Sequence, residues 1–254
     1  MPVSVIMPAF NEGRFIEAAL RSLLRERPSL LLDIIVIDDG STDDTRSIIE
    51  AVAGDVPELR LLQNPRKGIA AARNTGLDHL PPDCAFVAFL DADDVSYPGR
   101  IARQRSLLLG DPTIDVLYGV MEMFTVLDSS TLAPAAGSAT KMIRGPYLQS
   151  AMYRRAVIDK VGRFDESFRQ GDDSDFVLRV IENELRLVLD DGIAAYYRRH
   201  DSNVTLNTGE VRREFMLASM KWAVRNRMKK GGAIPPIFAE LFLRRGDAGE
   251  ETGR

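Results

Sequence analysis

The sequence predicts an α/β fold, a doubly wound and mostly parallel sheet, and three observations carry that expectation. Short β-branched or wholly apolar runs alternate with segments that are apolar at helical spacing. The apolar runs are of the kind that is buried on both faces, as parallel strands are. Every polar cluster falls at the carboxyl end of such a run, which is where open α/β sheets bind their ligands.

Val3 to Met7 is the first strand, Pro8 to Gly13 a loop, and Phe15-Ile16, Ala19-Leu20 and Leu23-Leu24 mark the first helix. Asp33 to Ile37 is a second strand, followed by Asp38 to Thr45 and a helix through Ile48, Ile49 and Val52. Leu59 to Leu62 makes a third strand, Asn64-Pro65-Arg66-Lys67-Gly68 its connection, and Ile69 to Leu77 an Ala-rich helix. Ala85 to Leu90 is the fourth strand, opening into Asp91-Ala92-Asp93-Asp94.

Past Tyr97 the rhythm changes. Ile101 to Leu109 reads as a helix, Val116 to Met121 as a strand, and Asp128 to Thr140, rich in Ser, Ala and Pro, as a mobile loop. Ala151 to Tyr153 is a short strand and Arg155 to Val161 a helix, with another opening at Phe176 to Ile181. Arg186 to Leu189 and Ala194 to Tyr197 are read as two further strands. No repeat or long linker interrupts the chain, so two lobes on one core are expected, residues 1–96 and 97–205, with a C-terminal helical extension over 206–254.

The 254 residues are ample for a full core, and the single cysteine, Cys84, excludes an intrachain disulfide and reads as a small core residue. A net charge of −4 gives no case for nucleic-acid binding. The start lacks a signal peptide, and no run approaches the roughly 20 apolar residues of a membrane span. The expectation is a cytoplasmic protein. Glu210 to Lys230 reads as a basic helix carrying Phe215, Met216, Met220, Trp222 and Val224, which either closes over the core or touches an anionic membrane face. The apolar residues of 234–238 and 241–243 are a candidate homodimer contact, and the tail from Gly246 reads as disordered.

Carboxylates placed where a buried strand surfaces need a cation, a hydroxyl or a backbone donor to neutralise them. Asp91 and Asp93 are therefore candidates for a hard divalent ion that also takes phosphate oxygens, against the alternative of turn formers and helix caps. Asp39 can accept from a nucleobase imide or a ribose, with Ser41 or Thr42 as helix caps beside it. Arg66, Lys67 and Arg73 bracket Gly68, where cations and helix-start amides can meet phosphate; a solvated face is the competing reading. Gly171-Asp172-Asp173-Ser174-Asp175 is a second acid cluster, in which a carboxylate beside others can serve as a base while Ser174 or Asp175 caps the next helix. Arg199 and His200 end a strand and are candidates for diphosphate and metal contact, although a lone histidine is more often structural. Neither G-x-x-x-x-G-K-[ST] nor G-x-G-x-x-G occurs, which argues against phosphoryl transfer from ATP and dinucleotide redox chemistry.

In order along the chain stand Val3 to Glu12, Val36 to Asp43, Lys67 to Gly76, Phe89 to Asp94, Gly162-Arg163-Phe164-Asp165 and Gly171-Asp172-Asp173. This series resembles the family-2 glycosyltransferases of the A-type fold, over about residues 1–205. The resemblance implies a nucleotide-diphosphate-sugar donor, favouring UDP, a divalent ion such as Mn2+ or Mg2+, and inversion at the anomeric carbon. It implies that Pro8, Ala9, Glu12 and Asp39 line the nucleoside pocket, with Lys67 and Arg73 nearby, Asp91 near the ribose and Asp93 on the metal. Asp173 would be the base, with Asp172 as the other member of the acid pair. Residues 1–96 would then hold the donor and 97–205 the acceptor and the base. The acceptor stays open among glycan, lipid-linked sugar, small molecule and peptide; its selection is expected from the 128–140 loop, Gly145-Pro146-Tyr147 and Tyr153. The competing classes are a nucleotidyltransferase, which would carry a Gly-rich basic signature where Pro8 to Glu12 stands, and a non-catalytic nucleotide-sugar-binding protein.

Overall fold

The structure is a computed structural model that describes residues 1–228, apart from 28, 29, 31 and 55. Lys229, Lys230, the apolar residues of 234–243 and the tail from Gly246 lie outside the described residues, and so do the dimer and disorder readings placed on them.

The first half is three βα repeats and a fourth strand: β1 (Val3–Ala9), α1 (Ile16–Leu24), β2 (Leu32–Asp38), α2 (Thr45–Ala53), β3 (Leu59–Gln63), α3 (Ile69–Asp78) and β4 (Phe86–Phe89). The short β5 (Val95–Ser96) and α4 (Arg100–Gly110) follow, then β6 (Val116–Phe124), the two-residue β7 (Leu127–Asp128) and β8 (Ala133–Pro134), and β9 (Lys141–Ile143). The chain closes with β10 (Ala151–Arg154), α5 (Arg155–Val161), α6 (Asp172–Glu182), β11 (Leu187–Arg198) and α7 (Thr208–Met228). One nine-stranded sheet runs β3-β2-β1-β4-β10-β6-β11-β5, with β9 alongside β6. Strands β3, β2, β1 and β4 are mutually parallel, and β10 lies antiparallel between β4 and β6. The chain order reverses between β1 and β4, which opens the crevice in which doubly wound sheets bind ligands.

Every residue of β1 is buried, as its mostly apolar pattern requires, and the one hydroxyl, on Ser4, donates to Asp33 at 2.9 Å. Pro8 is tolerated because pairing with β4 ends at Ile6; two residues on, the missing N–H faces the side where no partner strand remains. Gly76 on α3 lets that helix sit directly on β1 and β2, since a Cβ there would overlap Ile6 and Ile37. The N-terminus of α4 is capped from a distance: the buried Glu26 carboxylate accepts from Ile101 N at 3.1 Å and Ala102 N at 3.0 Å. Cys84 is buried, and burial pushes its thiol up, in keeping with a core residue.

Four local expectations are corrected. The two strands expected at 186–189 and 194–197 are one strand, β11, with register shifts between Leu189 and Ile193 and between Ile193 and Ala195. Asp190-Asp191-Gly192 forms a bulge within it, where Arg103 donates to the Ile193 carbonyl at 2.9 Å and pairs with Asp190, filling the space that Gly192 leaves. The stretch expected as a loop at 128–140 contains the β7–β8 hairpin, whose turn is built by Asp128 accepting from Ser130 N at 2.8 Å. Ser41 and Thr42 do not cap α2; they bind Asn11 across the first loop, and Asp44 takes the cap position. Helix α6 begins at Asp172 with Gly171 at its cap, so the acid cluster forms its first turn, where carboxylates suit the helix dipole.

The basic C-terminal helix packs on α6. Glu214 and Ala218 are buried, Lys221 pairs with Asp165 at 2.6 Å, and Arg225 reaches Asp175 at 3.0 Å and Glu182 at 2.8 Å. Much of its positive charge thus points inward, while Met216, Met220 and Val224 are exposed along with Arg212 and Arg213. No helix among the described residues is long and apolar enough to cross a membrane.

Candidate active site

The site is assembled by loops at the carboxyl ends of β1, β2, β3 and β4, closed by the end of β11 and the start of α6. The first loop takes its shape from the second. Asn11 adopts φ 56° and accepts from Thr42 N at 2.8 Å, Glu12 N donates to Thr45 Oγ1 at 2.7 Å, and Gly13 N donates to Asp43 at 3.0 Å. An αL conformation is tolerated at asparagine because its side chain bonds locally.

Pro8 and Ala9 are buried at the end of β1, and the Ala9 carbonyl accepts from Asp39 N at 2.8 Å. The Asp39 carboxylate is held at both oxygens, by Asn64 Nδ2 at 2.6 Å and by Gly68 N at 2.9 Å. Lys67 Nζ donates to the Asp39 carbonyl at 2.6 Å and stands 5.8 Å from the centre of the Phe10 ring. Gly40 stands there at φ 83°, a conformation that is strained for any residue with a side chain. Phe10 is 51% exposed, an aromatic face left open beside an oriented carboxylate.

The three acids after β4 go to three different places. Asp94 is fully buried and accepts from Arg198 N at 2.9 Å; burial and the neighbouring Asp93 and Asp91 hold its carboxyl well above the usual range. Asp91 accepts from Arg73 at 3.1 Å and from Gln149 Nε2 at 2.5 Å. Asp93 Oδ2 lies 3.0 Å from His200 Nε2 and 3.2 Å from Asn203 Nδ2, and its carbonyl accepts from Arg198 Nε at 2.9 Å. The His200 ring rests against Phe15, centroids 4.4 Å apart.

Arg73, 4% exposed, is pinned between carboxylates: one nitrogen reaches Asp91 and the other Asp172 Oδ2 at 2.7 Å. Asp172 is itself 1% exposed, so both members of that pair are withdrawn from solvent. Asp173, next along the first turn of α6, is only half-buried, and its Oδ1 accepts from Ser174 N at 2.6 Å. Arg199 turns away, donating to Thr205 Oγ1 at 3.0 Å. Arg198 instead lies against the acids, between Phe15 at 4.8 Å and Phe124 at 5.3 Å, with one buried guanidinium nitrogen, Nη2, unpartnered. Tyr153, expected near an acceptor, is fully buried against Phe89, Tyr118 and Phe176 and cannot line the cleft.

Arg198, Asn203, Gln149, Asn64 and Phe10 had not been singled out from the sequence. Phe10 and Asn64 lay inside quoted motifs, where an aromatic and a turn-forming asparagine carry no visible partner. For Arg198 the only signal was strand alternation, which does not say which face meets the acids.

The acids are short of positive charge. Burial, then Asp93, Asp91 and Asp43, push the Glu12 carboxyl up to about 8, despite Arg198. Among the described residues no three His, Cys, Asp or Glu side chains form a cluster able to hold a metal unaided. Asp93 and His200 nevertheless fit a hard divalent ion that draws its other ligands from phosphate and water. Because the folded-state value of Glu12 lies above its ordinary 4.5, its contribution is fully present below pH 4.5 and is lost as pH rises towards 8. In chelator, Glu12→Gln is expected to gain stability over wild type across that window by at most about 1.4 kcal/mol per pH unit. Denaturation midpoints of both proteins at pH 5 and pH 8 check this; parallel pH dependence contradicts it.

Comparison with known proteins identifies the family and the fold. Residues 4–164 match the model of "Glycosyl transferase family 2". The succinoglycan biosynthesis protein ExoU of Rhizobium meliloti is 28% identical over 240 residues, covering 83% of this chain and 66% of that protein. The chain spans 31% of another curated relative, the uncharacterized glycosyltransferase YibD of Escherichia coli. The crystal structure of S. aureus TarS 1-349 in complex with UDP-GlcNAc superposes with a TM-score of 0.70 at 19% identity, over 97% of this chain and 71% of that one. The mannosyltransferase PcManGT of Pyrobaculum calidifontis, in complex with GDP-Man and Mn2+, gives 0.68 at 22% identity, over 96% and 68%. With the family match spanning more than half of the sequence and the fold shared, this chain belongs to glycosyltransferase family 2, with the A-type fold.

Proposed function

We propose that this chain transfers a sugar from a nucleoside diphosphate sugar, UDP-linked in the first instance, to an acceptor nucleophile in one inverting displacement that depends on Mn2+ or Mg2+. The observation that carries the reading is the contact between Asp93 and His200 at the β1–β4 crevice, beside Asp91, on which both Asp93 and the half-buried Asp173 act electrostatically. The relatives supply context: TarS binds UDP-GlcNAc, and PcManGT binds GDP-Man and Mn2+.

Each residue then has a task its chemistry suits. Phe10 offers a stacking face, and Asp39, oriented by Asn64 and Gly68, accepts from the base. Asp91, held by Arg73 and Gln149, faces the ribose. Asp93 and His200 would hold the divalent ion, which when bound would supply positive charge against the diphosphate leaving group. Asp173 takes the acceptor proton; Asp172 does not, because it is withdrawn from solvent and ion-paired with Arg73 through Oδ2. A metal-bound diphosphate is already a stable anion, so no acid is needed on the leaving side, unlike glycoside hydrolysis. The acceptor wall is built by residues beyond Tyr97.

The test is a thermal-shift screen of UDP- and GDP-sugars with and without Mn2+. A rise in melting temperature that needs both nucleotide sugar and Mn2+ is expected, since a ligand that binds only the folded state stabilises it by mass action. No rise with any nucleotide sugar contradicts the proposal. Slow Mn2+-dependent hydrolysis of the donor separates an enzyme from a binding protein, and pyrophosphate release from a nucleoside triphosphate and a sugar phosphate would instead mark a nucleotidyltransferase.

A further inference from the structure

The corner where β11 ends contains a side chain that contacts both candidate ligands at once. Asn203 is 7% exposed, and both polar atoms of its side chain are engaged within this corner. Its Oδ1 accepts from His200 N at 2.7 Å, which sets the backbone of the histidine. Its Nδ2 donates to the Arg198 carbonyl at 3.2 Å and also lies 3.2 Å from Asp93 Oδ2 and 2.9 Å from His200 Nε2. One amide thus bridges the two atoms that would turn towards a shared cation. For Nε2 to act as a ligand, the imidazole must carry its proton on Nδ1, and Ser202 Oγ stands 2.8 Å from that nitrogen to receive it. Phe15 backs the ring from the other side.

We propose that Asn203 is the positioning residue of the Asp93–His200 pair: it fixes backbone, ring and carboxylate so that Oδ2 and Nε2 converge before any cation arrives. This inference rests on the metal-dependent reading above. Two side chains 107 positions apart in sequence cannot hold each other at 3.0 Å by their own preferences, since each would otherwise sample several rotamers. A buried amide with every polar atom engaged removes that freedom, and outer partners of this kind commonly govern metal affinity as strongly as many direct ligands.

The experiment is a double-mutant cycle on Mn2+ affinity, measured by electron paramagnetic resonance of free Mn2+ titrated into the full chain with UDP present. Variants are Asn203→Ala, His200→Ala and both together. Asn203→Ala is expected to weaken Mn2+ binding by about 10–100-fold. In the His200→Ala background the same change is expected to cost several-fold less, because only the contact with Asp93 remains for Asn203 to position. Melting in chelator verifies the fold of each variant, and Asn203→Ser, which keeps a hydroxyl at the corner, replaces the alanine if that variant loses its cooperative transition. Weakening by His200→Ala but not by Asn203→Ala would overturn the inference and leave the metal reading intact. An equal loss in both backgrounds would also overturn it, since that marks general loosening. If neither change touches Mn2+ affinity, the metal reading itself fails and this inference with it.

Discussion

Asp93→Ala is expected to remove metal-dependent donor binding and to lower transfer on the order of 1000-fold, the scale of losing a principal electrostatic stabiliser of the leaving group. The physical case rests on charge. Asp93 is one of four carboxyl groups crowded at the crevice with Glu12, Asp91 and Asp94, where burial and the neighbouring acids raise Glu12 and Asp94, so that a bound cation would relieve their repulsion. Among these acids only Asp93 is in contact with an imidazole. Its side chain is 19% exposed and lies at the surface of the cleft, so its removal costs the core little and relieves repulsion. The apo protein should therefore melt at or above the wild-type temperature while the Mn2+-dependent rise with nucleotide sugar disappears. Near-normal turnover would take the metal away from this residue.

Asp173→Asn is expected to keep donor affinity and to lose turnover by roughly two to four orders of magnitude, the range for a general base whose shape is preserved but which no longer accepts a proton. The neighbouring change separates the roles. Asp172→Asn leaves Arg73, a fully desolvated guanidinium, with one carboxylate in place of two, and breaking such a buried pair costs on the order of 3 kcal/mol. The expected contrast is a stable, inactive Asp173→Asn protein beside a destabilised Asp172→Asn protein, read from single-turnover kinetics and chemical denaturation. If Asp172→Asn is stable and dead while Asp173→Asn turns over normally, the base moves by one residue.

Much of this protein was legible from local chemistry. Three strand-and-helix repeats and a fourth strand follow from periodicity, because a strand buried on both faces must be mostly apolar and a helix on a sheet must be apolar on one side. The parallel half of the sheet, the placing of Asp39, Asp91 and Asp93 at strand ends and the membership of a family all rest on such short-range patterns. What the chain could not declare is which distant groups meet. Asp190 to Gly192 forms a bulge where Arg103, on a helix packed over the sheet, fills the space that Gly192 leaves. Asp172 and Asp173 are chemically identical and adjacent; Arg73, 99 residues before the first of them, donates to Asp172, which is buried, while Asp173 is only half-buried. Arg198 and Arg199 are likewise a pair until the direction of β11 turns one towards Asp93 and the other away. In each case the deciding partner lies far along the chain, where a residue's own preferences have no reach, and the choice is made by desolvation and by the geometry of packed elements.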